Sequence, residues 1–419
     1  MKILYLCQDL GIPVLGRKGA SVHVRAMARA LADAGHGLLL VTPLLEKSPW
    51  EMPASLPVPV WHVRPGRAVV HAAVALRGFA ESVSADASVA GEVRRILYDR
   101  AMGVRLRRRF EHDPPDAIYE RASLHATAGV TLAKALGIPH LLELNAPLSL
   151  EQATYRGTGL GELASRAERF TLSRTDAVLA VSGSLRDYAI SLGVNPQRAH
   201  VLPNGVDERR FRPGPPDPAV RRRWGLDRGP VVGFVGGLRP WHGVLALPSL
   251  LARLRARHPG VRLVVVGDGP LRGDLTDSFR EGGLLDHAVL TGSLPQEDVA
   301  ALIRQFDLAL APYPKADHDF YFSPLKLFEY MACGVPPVAA ALGQIREVVR
   351  DGETGLLYPA GDDGALAEAS LRLLGNEELR RRIGAAAAEE VHGRYTWRRN
   401  AARVGELASC LRAGSEVRT

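Results

Sequence analysis

Short apolar runs, separated by longer stretches of mixed polarity, recur along the whole chain. The runs at 3–6, 38–42, 60–63, 116–119, 140–144, 177–181 and 199–202 have the length of strands. Those at 231–235, 262–266, 288–290, 308–311 and 335–340 repeat the arrangement further on. The intervening stretches carry apolar residues at helical spacing. From 21 to 34 these are Val22, Met27, Ala28, Ala30 and Leu31, with Gly35 as the stop. Such alternation predicts an α/β fold. The two sets are separated by a Pro-, Gly- and Arg-rich interval at 208–229, which reads as a linker. Two domains are therefore expected, at 1–207 and 230–395. A long helical tail follows from about 363, its last helix lying within 396–419.

Ligands of α/β folds bind beyond the carboxyl ends of strands, so the loops there carry the candidate chemistry. In the second half these loops are Gly237 to His242, Gly267-Asp268-Gly269 and Thr291-Gly292. One such glycine turn is only a turn; several in one domain imply one ligand crevice. The stretch 320–340 is the most telling. Ser323 reads as a helix cap, Pro324 as a first-turn residue, and Leu325, Leu327, Phe328 and Met331 as the apolar face. Lys326 lies in the first turn, where free N–H groups and a cation make a phosphate site. Glu329, one turn on, is suited to a ribose hydroxyl. By spacing alone such a Lys–Glu pair is more often a solvated surface pair. The chain otherwise favours Arg for positive charge, however, and Lys18 and Lys326 both stand beside phosphate-type loops.

In the first half, the amides of Gly16 and Gly19 and the Lys18 side chain are placed to meet a phosphate or sugar. The loop lacks the Gly-x-Gly-x-x-Gly spacing and no acidic residue follows the second strand, which disfavours a nicotinamide cofactor. Glu120, Arg121, His125, Glu143 and Asn145 fall at or just beyond strand ends, where an acceptor would be gripped.

The formal charge is +8 over 419 residues, with arginines clustered at 94–109, 166–186 and 209–223. Anionic lipid headgroups or a phosphorylated acceptor suit these clusters, with solvated helix faces as the plain alternative. No aromatics are interleaved with them, so nucleic acid is not expected. Three scattered cysteines suggest neither disulfides nor zinc. With no apolar run of spanning length and no cleavable leader, a cytoplasmic protein is expected, with peripheral contact at the inner membrane face left open. Asp317, His318 and Asp319 invite a divalent-metal reading, but fixed positive side chains make a metal unnecessary there, and none is expected.

The segments PNGVD (203–207), GLRPWHG (237–243), VVVGDGP (264–270), TGSLPQEDV (291–299), SPLKLFEYMACGVPPVAA (323–340) and DGETGLLY (351–358), with SVHV at 21–24, together resemble glycosyltransferase family 4, of the GT-B fold. The resemblance implies two Rossmann-like domains facing across a cleft, the first for the acceptor and the second for a nucleotide sugar. It also implies a last helix that crosses back to the first domain. It further implies transfer with retention of anomeric configuration from a nucleoside-diphosphate sugar, UDP or GDP, without a separate cofactor. The acceptor would be a glycan, a glycolipid or another lipid-linked polysaccharide precursor; a soluble small molecule or a non-catalytic binder of the same fold are the alternatives. At the donor-loop positions where the family carries Arg and Lys, this chain has Gly237 and His242, so Arg239 and Lys326 are the expected diphosphate cations. The second of the family's paired glutamates matches Glu329, whereas the first falls on Tyr321. Thr291-Gly292 would meet the base, and Asn145 stands where a His is common.

Overall fold

The computed structural model describes residues 1–46, 56–155, 157–315 and 320–414. They form two compact units, Met1–Pro203 with Trp397–Thr419, and Asn204–Thr396.

The first unit is built on a parallel sheet of seven strands: β1 Lys2–Cys7, β2 Gly37–Thr42, β3 Val60–His62, β4 Ala117–Arg121, β5 His140–Leu144, β6 Ala177–Ala180 and β7 Ala199–Val201. Their order is β3-β2-β1-β4-β5-β6-β7. The chain reverses direction across the sheet between β1 and β4, and Cys7 is in register with Arg121 at that seam. Strands β1, β4 and β5 are buried along nearly their whole length, and the polar side chains Glu120, Arg121, His140 and Glu143 are buried with them. The Trp397–Arg412 helix completes this unit. Trp397 meets the His23 ring edge-on at 4.7 Å, and Asn400 Nδ2 donates to the Pro203 carbonyl at 2.7 Å.

The second unit repeats the plan with six parallel strands: β8 Val231–Val235, β9 Arg262–Val266, β10 Ala288–Gly292, β11 Leu308–Ala311, β12 Pro337–Ala340 and β13 Leu356–Tyr358. The order is β10-β9-β8-β11-β12-β13, so its reversal lies between β8 and β11. Both seams are the positions where a doubly wound sheet opens a crevice at its carboxyl edge.

Two expectations need correction. The interval 208–229 is more than a linker. It carries the Pro218–Arg223 helix, capped by Asp217, and puts Phe211 and Leu226 into the core of the second unit. Its Pro and Arg content marks an irregular but packed segment. The helical tail expected from about 363 comprises three helices, Asp363–Leu374, Glu377–Arg394 and Trp397–Arg412, broken at Gly375-Asn376 and Tyr395-Thr396. Asn376 caps the second of them by accepting from Leu379 N. The strand expected from 335 begins only at Pro337.

Candidate functional site

The second unit brings most of the expected donor residues to its β8/β11 seam. The Leu325–Ala332 helix starts there, and every residue from Lys326 onward is buried. Ser323 does not cap it. Its hydroxyl accepts from Asn204 N at 3.0 Å, and its carbonyl from Asn204 Nδ2 at 2.6 Å. Asn204 thus anchors the helix start, and among the described residues no side chain caps the first-turn amides.

Lys326 and Glu329 are not a surface pair. They are 7% and 8% exposed. Lys326 Nζ lies 4.4 Å from the centre of the Phe234 ring and 5.0 Å from that of Tyr313, and has no hydrogen-bond partner among the described residues. A buried ammonium without an anion is costly in isolation, so burial lowers its pKa to about 7 even though the Glu329 charge opposes the shift. Glu329 moves the other way, to about 7, because burial outweighs the neighbouring Lys326 and Arg210 charges and the hydrogen bond from Gln296. Gln296 in turn accepts from Arg210, which bridges to Glu297 at 3.0 Å.

The loops around this helix start are pressed backbone to backbone. Leu238 N donates to the Asp268 carbonyl and Gly236 N to that of Val266. A Cβ on Gly267, at φ +136°, would lie 2.0 Å from the Gly236 carbonyl oxygen. Gly269 likewise packs on the Leu238 backbone. Asp268 accepts from Gly269 N and pairs with Arg272, whose guanidinium reaches toward Gly292. Thr291 hydrogen-bonds to the Gly292 carbonyl.

His242 donates from Nδ1 to the Gly237 carbonyl, which leaves Nε2 as an acceptor. Burial, with the Lys326 charge adding to it, pushes its pKa down to about 3 and keeps it neutral. It therefore supplies no positive charge where the family has Lys. Arg239 is exposed and stacked at 5.6 Å on Trp241. An unbroken series of ring contacts runs from Trp241 through His242, Tyr313 and Phe320 to Phe322 and Tyr321. Tyr321 is buried, so no carboxylate stands at the position of the family's first glutamate. Asp317, His318 and Asp319 lie outside the described residues. Among the described residues, no cluster of three His, Cys, Asp or Glu side chains is arranged to hold a metal.

The first unit gathers the expected acceptor-side residues, but on two faces of its sheet. On one face Glu143 accepts from His23 and Arg121, both at 2.7 Å, and from Asn145 and the Tyr119 hydroxyl. Burial pushes its pKa up, but His23, Arg121 and Tyr119 together hold it well below the ordinary carboxylate range. On the other face Glu120 accepts from Gln8 and His140 and packs against Gly129. There His125, at φ +63°, pairs with Glu92 at 3.0 Å. A small cavity beside it is lined by Glu120, His125, Leu142, Leu144, Glu168 and Leu172. Gly16 is buried, its carbonyl accepting from Arg25, while Lys18 and Gly19 are exposed. Gly16 and Gly19 thus belong to the first unit, unlike the other expected donor residues.

His23, Tyr119, His140, Phe234 and Tyr313 escape sequence reasoning as site residues. SVHV at 21–24 is the one signal that pointed at any of them.

Two family descriptions match the chain: glycosyltransferase family 4 over residues 17–210 and glycosyl transferases group 1 over residues 229–376. A GDP-mannose-dependent alpha-(1-6)-phosphatidylinositol monomannoside mannosyltransferase of Mycolicibacterium smegmatis is 33% identical over 58% of this chain and 64% of its own length. The match therefore spans a little under two thirds of that relative. A GDP-mannose-dependent alpha-mannosyltransferase of the same organism is 32% identical over 68% of this chain and 70% of its own length. Among solved structures, sucrose-phosphate synthase from Thermosynechococcus elongatus superposes with a TM-score of 0.71 over 99% of this chain and all of that one, at 21% identity. At that identity it shows the fold alone, which is GT-B.

Proposed function

The chain belongs to glycosyltransferase family 4, and we propose that it moves a sugar, with retention, from a nucleoside-diphosphate sugar to a hydroxyl of a glycan or lipid-linked polysaccharide precursor. The observation that carries this reading is the Lys326 ammonium, buried and, among the described residues, without a hydrogen-bond partner, at an uncapped helix start on the β8/β11 seam. Such an ammonium has donors to spare, and a diphosphate is the anion a helix start suits. The unit Asn204–Thr396 then binds the donor and Met1–Pro203 the acceptor, with the Trp397–Arg412 helix belonging to the acceptor unit.

In the reaction the leaving diphosphate gains negative charge as the sugar bond breaks. Lys326 and the first-turn amides oppose that charge, with Arg239 at the loop edge, in a site walled by Phe234 and Tyr313, where low dielectric strengthens the attraction. A departing phosphate oxygen takes the acceptor proton on the same face. Glu329 holds the ribose, Thr291-Gly292 the base edge, and the turns at Gly237 and Gly267 to Gly269 the rest of the nucleotide. Neutral His242 offers Nε2 as an acceptor to a sugar hydroxyl. With Lys326 in place the diphosphate needs no divalent metal. Glu143, with Arg121 and Asn145, orients the acceptor at the end of β5. The mannosyltransferase relatives put GDP-mannose first among donors to try and a lipid-linked polyol first among acceptors, which would bring the protein to a membrane surface.

Release of diphosphate from GDP- and UDP-sugars, with a lipid extract or with soluble acceptors, tests the reading. Transfer into the lipid fraction with an α-configured product is expected. No turnover of any donor with any acceptor would overturn it in favour of a non-catalytic binder.

A further inference from the structure

The Arg67–Ser82 helix of the first unit is rich in Ala and Val, with Arg67, His71, Arg77, Glu81 and Ser82 as its polar positions, yet only Ala73 and Ala80 of it are buried. Val74 and Phe79 are 65% and 64% exposed, and Val83 just beyond is 54% exposed. Large apolar side chains exposed together in this way mark a surface that meets another apolar medium. Here one edge meets the Ser88–Phe110 helix, and most of the remainder faces outward.

The charge around it is mainly positive, with Glu81 and Asp86 the exposed acids. Residues 67–109 hold nine arginines against four acids. Two of those acids are turned inward. Glu92 accepts from His125, Thr158 and the Gly159 amide; Asp99 accepts from the Thr127 and Ala128 amides. Arg77, Arg100, Arg105 and the run Arg107 to Arg109 are exposed.

We propose that the outer face of this helical hairpin is where the protein lies on an anionic lipid bilayer. Val74, Phe79 and Val83 enter the boundary between headgroups and acyl chains, and the arginines engage lipid phosphates. Other covers fit less well. A second copy on the same face would set one arginine-rich surface against another. Nucleic acid would meet the charge but leave the valines and Phe79 without a partner. The proposal deepens the lipid-linked reading and rests on it only for where the acceptor resides.

Sedimentation of the full chain with vesicles of phosphatidylcholine, alone or mixed with phosphatidylglycerol, tests it. Binding to the mixed vesicles only is expected, weakening as salt is added. Replacing Arg107, Arg108 and Arg109 by Gln should cost about fivefold in partitioning per charge. Val74→Ser with Phe79→Ser should cost about tenfold or more at every salt concentration. A control, Arg222→Gln with Arg223→Gln on the exposed Pro218–Arg223 helix, should bind as the wild type does. No binding to mixed vesicles, equal binding to neutral ones, or an equal loss in the control would overturn the proposal. So would a solution dimer that Phe79→Ser dissociates. Vesicle binding without sugar transfer to any acceptor would support this surface while overturning the transferase reading.

Discussion

A Cβ on Gly236 would sit 2.8 Å from Lys326 Nζ, so this glycine is bare where the buried ammonium comes to rest. Its φ of +150° lies in a region that side chains rarely adopt. Gly236→Ala should therefore displace the ammonium as well as strain the loop, by about 1–3 kcal/mol. Diphosphate affinity is expected to fall about tenfold or more while the fold survives, measured by calorimetry beside a thermal melt. Unchanged affinity would mean the ammonium does not face the ligand.

Gly243 provides the contrast. Its Cβ would meet the Pro312 carbonyl oxygen at 1.6 Å, a backbone atom that cannot step aside. Gly243→Ala should lower the melting temperature by several degrees, because the loops after β8 and β11 must separate. Loss of diphosphate binding without loss of stability would contradict this.

Donor binding should take up a proton. The folded pKa of Lys326, about 7, lies below its ordinary value because of burial. Between roughly pH 7 and 10 the unfolded chain holds a proton that the folded one has lost, so this group's contribution to stability rises with pH across that window. Glu329 acts with the opposite sign: its raised pKa of about 7 makes its contribution fall as pH rises from about 4.5 to 7. A bound diphosphate favours the charged lysine and raises its pKa. Calorimetry at pH 8 in buffers of different ionisation enthalpy should read uptake of up to about one proton. The uptake should vanish in Lys326→Ala, and affinity should weaken as pH rises through about 7. A pH-independent affinity with no uptake would contradict the assignment.

In the first unit, Glu143→Gln leaves the Arg121 guanidinium buried without its counter-charge. A loss of about 3–5 kcal/mol is expected. Because the Glu143 pKa is depressed in the folded state, its contribution is present above the ordinary carboxylate range and is lost as pH falls through its folded pKa. The variant should therefore lose less stability on acidification than the wild type does. Parallel acid profiles in urea titrations would show that Glu143 does not carry this charge.

The strands at 140–144, 231–235, 262–266 and 308–311 are legible to the residue, because each is a short, mainly apolar stretch buried on both faces and ended by Gly, Asn or Pro. Burial of Lys326 and Glu329 was not. Spacing along one helix says nothing of what covers it, and here Phe234 and Tyr313 arrive from other strands. Ser323 had the chemistry of a cap, yet Asn204, 119 positions away, takes its hydroxyl. Glu143 and Glu120 announced themselves at strand ends. Their partners His23 and Gln8 lie 120 and 112 positions distant, a separation no local pattern spans.

The central claim is that Lys326 holds a nucleoside diphosphate without help from a metal. Calorimetric titration of the full chain with GDP, UDP, ADP and dTDP, each with and without a chelator, tests it most directly when repeated on Lys326→Ala. Binding of one diphosphate, unaffected by the chelator and weakened on the order of a hundredfold in the variant, is the predicted result. Equal binding by the variant, binding abolished by the chelator, or no binding by the wild type would contradict it.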